Sequence, residues 1–325
     1  MVFSDQKPIL VYTGPRGGAD AVQDVVAEWF EVRCVAPEVS VVAHELKTAS
    51  AFLDASMKVR ITRPMIEASS SLRLVVTATT GADHIDEQAL MERGILLFTL
   101  RGQSEVLKRL TPAAEHSWLL LMACARRLVA AQAHVLAGGW DRAGFPGVML
   151  RGKTVGLIGC GRIGQWMARY AEAFGMSVQG YDPLLTEWPS SIRRADLMDL
   201  LASSDFISLH VTLTPETRRL LGRAHFEHMK PGAIFINTSR GELIDEQALL
   251  ESLQCGRLLA AGLDVLSGEP DIQDHPLRRY ALEHDHLIIT PHIGGYSPEA
   301  VREVVRFSAE RVLQYFGFRD ARTNP

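Results

Sequence analysis

The sequence predicts an α/β protein of two domains, each a parallel sheet covered by helices. Three observations predict it. Short apolar runs alternate with helical stretches along most of the chain, the pattern of strand–helix–strand units whose strands are buried on both faces. The chain has 325 residues, whereas single hydrophobic cores stop growing at roughly 250–300. A glycine-rich turn, Gly159-Cys160-Gly161-Arg162-Ile163-Gly164, stands between a strand pattern and a helix pattern, as it does where a doubly wound sheet begins.

The elements follow in order. Apolar runs at 9–12, 74–77 and 95–98 read as buried strands, and 19–30, 64–69 and 86–93 as helices between them. Thr111-Pro112 has the form of a helix start, with threonine capping and proline in the first turn. Few breakers follow until Gly138-Gly139, so one long helix is expected from 113 to about 136, able to carry the chain between domains. From 154 the alternation strengthens. Strands are expected at 154–158, 177–181, 206–209, 233–237, 259–264 and 287–289, enough for a complete Rossmann-type sheet. Val301, Val304, Val305, Ser308 and Val312 recur at near-helical spacing and predict a last amphipathic helix over 298–316. Both chain ends lie outside the six-strand unit. The smaller domain is therefore expected to be discontinuous, 1–104 plus 296–325, with 105–295 forming the larger.

Composition excludes several function classes. Net charge is −4, and the arginine pairs are scattered, so the basic tract that nucleic-acid binding needs is missing. No run reaches the ~18 apolar residues of a membrane span. Cys34, Cys124, Cys160 and Cys255 stand far apart without a CxxC, which argues against disulfides and a metal site and fits a reducing compartment. Met1-Val2-Phe3-Ser4-Asp5 carries no basic stretch followed by an apolar one. No signal peptide is expected, and a cytoplasmic location is.

The glycine turn suits a dinucleotide. Gly159 permits a tight turn, Gly161 lets backbone approach a pyrophosphate, and Gly164 lets helix and strand pack closely. The following helix offers unpaired N–H groups and a partial positive charge to phosphates. The next strand ends in Asp182, 18 residues beyond Gly164. A carboxylate there accepts both ribose hydroxyls of NAD and repels the extra phosphate of NADP. With no Arg or Lys near until Arg193, NAD is the expected cofactor. Three polar residues then follow strands of the same domain: Arg240, Glu269 and His292. Ligands of open α/β sheets bind outside the carboxyl ends of strands, so all three are candidates to line one crevice.

The strings 159–164 with Asp182, Asn237-Thr238-Ser239-Arg240-Gly241, Gly262-Leu263-Asp264-Val265, Gly268-Glu269-Pro270 and Pro291-His292-Ile293-Gly294-Gly295 resemble, in order and spacing, the signature blocks of the D-isomer-specific 2-hydroxyacid dehydrogenases, a family that includes phosphoglycerate dehydrogenases and hydroxypyruvate reductases. Thr80-Gly81-Ala82-Asp83-His84-Ile85-Asp86 resembles the family's substrate loop, so the likeness covers about 52–316. It implies a flavodoxin-like substrate domain beside the dinucleotide domain, and a site that closes by hinge motion. It implies reversible reduction of a 2-keto acid to the D-2-hydroxy acid with NADH. Arg240 would hold the substrate's carboxylate and carbonyl oxygen. His292 would be the general acid/base, and Glu269 would orient it and favour its protonated form. Backbone N–H groups of Thr80, Gly81 and Ala82 would hold the carboxylate from the other side. Asp264 and Thr238 would lie at the nicotinamide, His210 on the adenosine side, with Arg162, Ile163 and Gly294 as further cofactor contacts. A homodimer is implied, made through the cofactor domain and the helix from Thr111.

The chain also departs from the family's pattern. Segment 100–112 is about five residues longer than usual and lacks the Pro-Gly-x-Asn block, Thr212 stands where proline is usual, and Tyr296 replaces a small residue. Ser56 and Thr77 occupy positions where arginine would serve a phosphorylated substrate, with Lys58, Arg60 and Arg101 as candidate substitutes, and with the sequence ending at Pro325 no appended regulatory domain is expected. A small unphosphorylated 2-keto acid is therefore expected over 3-phosphoglycerate chemistry. Two further alternatives are an NAD-sensing corepressor-like protein, which keeps the same Arg, Glu and His, and oxidation of an oxyanion such as phosphite. Glu269 disfavours formate dehydrogenase chemistry.

Overall fold

The computed structural model describes residues 7–318, so the reading of 1–5 lies outside it. The chain divides into two compact units, Met1–Leu110 with Tyr296–Pro325, and Thr111–Gly295.

The first unit contains β1 (Ile9–Thr13), α1 (Arg16–Val26), β2 (Glu31–Val35), α2 (Val39–Leu46), β3 (Ala51–Asp54), α3 (Arg63–Glu67), β4 (Leu74–Thr77), α4 (Glu87–Glu92), β5 (Leu96–Phe98) and α5 (Ser104–Lys108). The strands are parallel in the order β2-β1-β3-β4-β5, the flavodoxin-like order.

In the second unit α6 (Pro112–Ala125) and α7 (Leu128–Leu136) precede β6 (Thr154–Ile158), α8 (Arg162–Ala173), β7 (Ser177–Tyr181), β8 (Arg193–Arg194), α9 (Leu197–Ser203), β9 (Phe206–Leu209), α10 (Arg223–His228), β10 (Ala233–Asn237), α11 (Glu246–Gln254), β11 (Leu258–Leu263), α12 (Pro276–Glu283) and β12 (Leu287–Ile289). The order β12-β11-β10-β9-β6-β7-β8 is parallel throughout. The chain winds outward from β6 to β8, then returns past β6 to β9. The switch point lies between β6 and β9, and a crevice opens there at the carboxyl ends of doubly wound strands. The last helix, α13 (Pro298–Phe316), returns to the first unit.

Alternate strand residues point to opposite faces, and each sheet uses both. Leu10, Tyr12, Leu53 and Val76 pack on α1 and on Val301, Val305 and Val312 of α13, while Val11, Phe52 and Val75 pack on α2, α3 and α4. In the second unit Val155, Leu157, Ile234 and Ile236 meet α6 and α8. Ile158, Ile207, Phe235 and Leu263 meet α9, α10, α11 and α12. This burial on both faces is why the strands read as unbroken apolar runs.

Three expectations are corrected. The boundary at 104/105 moves to 110/111, because α5 packs on α13 within the first unit. The long helix is two helices, broken at Arg127, whose φ is 50°. That left-handed conformation costs roughly 1–2 kcal/mol for a residue with a side chain. It is offset where the Arg127 guanidinium donates to Gly144 O at 2.8 Å and Asp285 Oδ2 at 2.9 Å and lies over the Phe145 ring. Thr111 does occupy the N-cap of α6, with Pro112 behind it, but it makes no side-chain cap; its hydroxyl donates to Glu115 Oε1 at 2.5 Å.

Candidate active site

Every candidate of the second unit stands at the carboxyl end of a strand. Between β6 and α8 the chain turns at Gly159, whose φ is +91°. A Cβ built there would lie 2.3 Å from the backbone oxygen of His210, and one on Gly164 would lie 2.3 Å from Gly159 O. Both glycines are therefore required by close backbone approach alone. A Cβ on Gly161 would meet nothing within 4 Å, so the space above the turn is open. Arg162 and Ile163 start α8, whose first N–H groups have no partner within the helix. Burial lowers the Arg162 pKa.

Asp182, just past β7, closes this cradle. Its Oδ2 accepts from Cys160 N at 2.9 Å and its Oδ1 from Leu184 N at 3.0 Å. Each oxygen keeps a further lone pair, so the carboxylate both fixes the glycine turn and can still accept hydroxyl groups. His210, just past β9, is held by Ser208 Oγ at 2.8 Å from its Nε2, and its buried Nδ1 has no partner among the described residues. Burial pushes its pKa down to about 3, so the ring is neutral near pH 7.

The cradle fits a dinucleotide. Open space over Gly161, a helix start beneath it and a carboxylate at the next strand end are what a pyrophosphate and a ribose require.

Arg240 follows β10 on a turn built by buried Asn237, which was not singled out from sequence. Asn237 Oδ1 accepts from Ser239 N at 2.9 Å, and its Nδ2 donates to Arg240 O at 2.8 Å. The guanidinium donates through one nitrogen to Ser239 O at 2.7 Å. Gly241 presses this turn onto the Glu269 loop, since a Cβ there would lie 2.1 Å from Ser267 N. That loop is tied to α11 through Glu246, which accepts from Ser267 N at 2.9 Å and lies 3.1 Å from His275 Nε2.

Glu269 and His292 meet, with Oε1 2.5 Å from His292 Nδ1. Their side chains are 31% and 29% exposed. A partly exposed polar contact of this kind adds little stability, so orientation is what it supplies. It leaves Nε2 for another partner. His292 has a φ of 54°, again a conformation costing roughly 1–2 kcal/mol.

Asp264, 1% exposed, is turned toward this segment. Its Oδ1 accepts from Ile293 N at 2.9 Å and from Thr290 Oγ1 at 2.5 Å; its Oδ2 accepts from Gly294 N at 2.7 Å. Burial alone would raise the Asp264 pKa, but hydrogen bonds from His116, Thr290, Ile293 and Gly294 outweigh it and hold the carboxyl below its ordinary value. Thr238 Oγ1 lies 2.6 Å from Ser117 Oγ on α6.

Thr80, Gly81 and Ala82 belong to the first unit. Thr80 is exposed, and Gly81 and Ala82 are buried. Thr79 Oγ1 donates to Gly81 O at 2.7 Å and Ile85 N to Ala82 O at 2.8 Å. His84 Nε2 reaches the buried Asp54 carboxylate at 2.9 Å. Burial would raise the Asp54 pKa, but His84, Thr13 and Ser56 together hold it down.

The sequence pattern of the D-isomer specific 2-hydroxyacid dehydrogenase NAD-binding domain matches residues 118–294. The chain belongs to the D-isomer specific 2-hydroxyacid dehydrogenase family. Membership brings NAD as cofactor, and hydride exchange between it and a 2-keto or 2-hydroxy acid as the reaction class. A hydroxypyruvate reductase from Thermotoga maritima is 40% identical over 79% of this chain and 82% of its own. A D-3-phosphoglycerate dehydrogenase from Methanocaldococcus jannaschii is also 40% identical, over 78% of this chain, which spans only 47% of that protein. The solved structure of the TT0316 protein from Thermus thermophilus has 33% identity and a TM-score of 0.84, covering 97% of this chain and 99% of that one.

Proposed function

We propose that the chain reduces a small, unphosphorylated 2-keto acid to the D-2-hydroxy acid, with Arg240, Glu269 and His292 as its polar machinery. One observation carries the reading: His292, just past β12, has its Nδ1 engaged by Glu269 at 2.5 Å, and no hydrogen bond to its Nε2 is recorded among the described residues.

Bound NADH supplies the hydride. Arg240 pairs with the substrate carboxylate and keto oxygen, where a planar, permanently charged fork suits two acceptors. His292 delivers the proton from Nε2 to the carbonyl oxygen as negative charge develops there, and takes it back in the reverse direction. Glu269 accepts from Nδ1–H, fixes the ring and balances the imidazolium charge. Arg162, Ile163 and Gly164 would hold the pyrophosphate, Asp182 the ribose, His210 the adenosine side, and Thr238, Asp264 and Gly294 the nicotinamide.

The unphosphorylated substrate is supported in the first unit. Ser56 Oγ donates to Asp54 Oδ1 at 2.7 Å, and Thr77 is fully buried, so neither position presents a cation. A screen of glyoxylate, hydroxypyruvate and pyruvate against phosphohydroxypyruvate, with NADH and NADPH, tests this. Turnover with the unphosphorylated acids and NADH is expected. A kcat/KM that is higher for the phosphorylated acid overturns the substrate class, and equal use of NADPH overturns the role of Asp182.

A homodimer through α6, α7 and the following loop belongs to the same reading. Leu128, Val129, Leu136, Trp140 and Met149 are all exposed there, Trp140 at 92%. Apolar side chains gathered on one region mark an interaction surface. Light scattering is expected to give the mass of two chains, and a single-chain mass contradicts the dimer.

A further inference from the structure

We propose that His116 is a positioning residue for this reaction: from α6 it holds Thr290 and Asp264 against the backbone that carries His292. The inference rests on the assignment of His292 as proton donor.

The left-handed backbone of His292 persists only if its surroundings hold it. The holding groups are few. His292 N donates to Asp264 O at 2.9 Å and to Thr290 O at 3.0 Å. The next two N–H groups, of Ile293 and Gly294, donate to the two carboxylate oxygens of Asp264. Asp264 is thus a clamp across the segment, and its carboxylate must itself be kept in one orientation.

His116 and Thr290 supply that orientation. The single hydroxyl proton of Thr290 is committed to Asp264 Oδ1 at 2.5 Å. Thr290 Oγ1 must therefore act as acceptor toward His116 Nε2, 2.8 Å away. The proton consequently sits on Nε2 of His116, which also lies 3.3 Å from Asp264 Oδ1. The chain of contacts runs from His116 to Thr290, Asp264 and the two amides after His292.

The helix that presents His116 is well anchored. Ser117, its neighbour, donates to Ala113 O at 2.7 Å, and its oxygen lies 2.6 Å from Thr238 Oγ1. Leu120, Leu121 and Cys124 fix α6 in the core under β10 and β11. Two consecutive polar residues of one helix thus reach Thr238, Asp264 and Thr290, at the ends of three adjacent strands. A histidine merely packed in a helix would not need the donor atom on Nε2. A positioning residue does, and glutamine can supply an N–H donor in its place.

The test measures amide hydrogen exchange over 290–296 in the cofactor-free protein, with kcat and KM alongside. H116A is expected to speed exchange at Ile293 and Gly294 by about tenfold and to lower kcat by about tenfold, the upper end of what one neutral hydrogen bond carries. KM for NADH should rise by less than kcat falls, since the glycine turn and Asp182 are untouched and only the Asp264–Gly294 end of the cofactor site is loosened. H116Q is expected to restore both quantities. T290V, which removes the hydroxyl at nearly constant shape, should reproduce H116A and serves if H116A does not fold. Exchange and kcat unchanged in H116A and T290V overturn the proposal, as does an H116Q protein as impaired as H116A. Retained turnover in His292→Asn would instead sink the proton-donor assignment, while the exchange rates would still report on the clamp.

Discussion

Replacing His292 by asparagine is expected to lower kcat by about 10²–10⁴-fold, the usual range for removing a general acid/base. Asparagine is chosen because it tolerates the left-handed backbone at φ 54° better than alanine does. The loss then reports the missing proton and not a collapsed segment. NADH affinity should change only a few-fold, because the groups around Gly159, Gly164 and Asp182 are held by contacts that do not involve His292. Steady-state kinetics and a fluorescence titration separate the two quantities. An asparagine variant as active as the parent protein would remove His292 from the chemistry.

Substituting Arg240 with alanine is expected to reduce kcat/KM for the keto acid by about 10²–10³-fold. Truncating one member of a desolvated charge pair costs roughly 2–5 kcal/mol, and each 1.4 kcal/mol is about tenfold. Lysine should recover only part of this, since an ammonium does not reproduce two parallel hydrogen bonds. The turn itself should survive, because it is built by Asn237 and backbone, not by the guanidinium alone. If alanine leaves kcat/KM for the keto acid unchanged while His292→Asn abolishes turnover, the carboxylate is held by other groups and Arg240 has no part in substrate binding.

The strands that were legible are those apolar on both faces; β10, Ala233–Asn237, is buried at every position, whereas β2, Glu31–Val35, is buried at none and was not expected. The cofactor cradle was legible because its three glycines stand at fixed spacing between a strand pattern and a helix pattern. What could not be read is tertiary in origin. Arg126-Arg127 contains neither glycine nor proline, so nothing local marks the break between α6 and α7; contacts to residues 144, 145 and 285 set it. β8 is two residues long and gains its identity only from pairing with Gln179 and Gly180. His116 stands in a helix that reads as plain core, and its partners Thr290 and Asp264 are more than 140 residues away. Asp264 was expected only as a nicotinamide contact. Its four hydrogen-bond partners within the chain give it a second task that sequence spacing does not encode.

The most direct test of the account is isotope transfer. The protein is incubated with hydroxypyruvate or glyoxylate and NADH carrying deuterium at both C4 positions, and the product is analysed by mass spectrometry and, for hydroxypyruvate, chiral chromatography. The account predicts one deuterium at C2 of the 2-hydroxy acid and the D isomer from hydroxypyruvate. No deuterated product from any 2-keto acid, or formation of the L isomer, would contradict it.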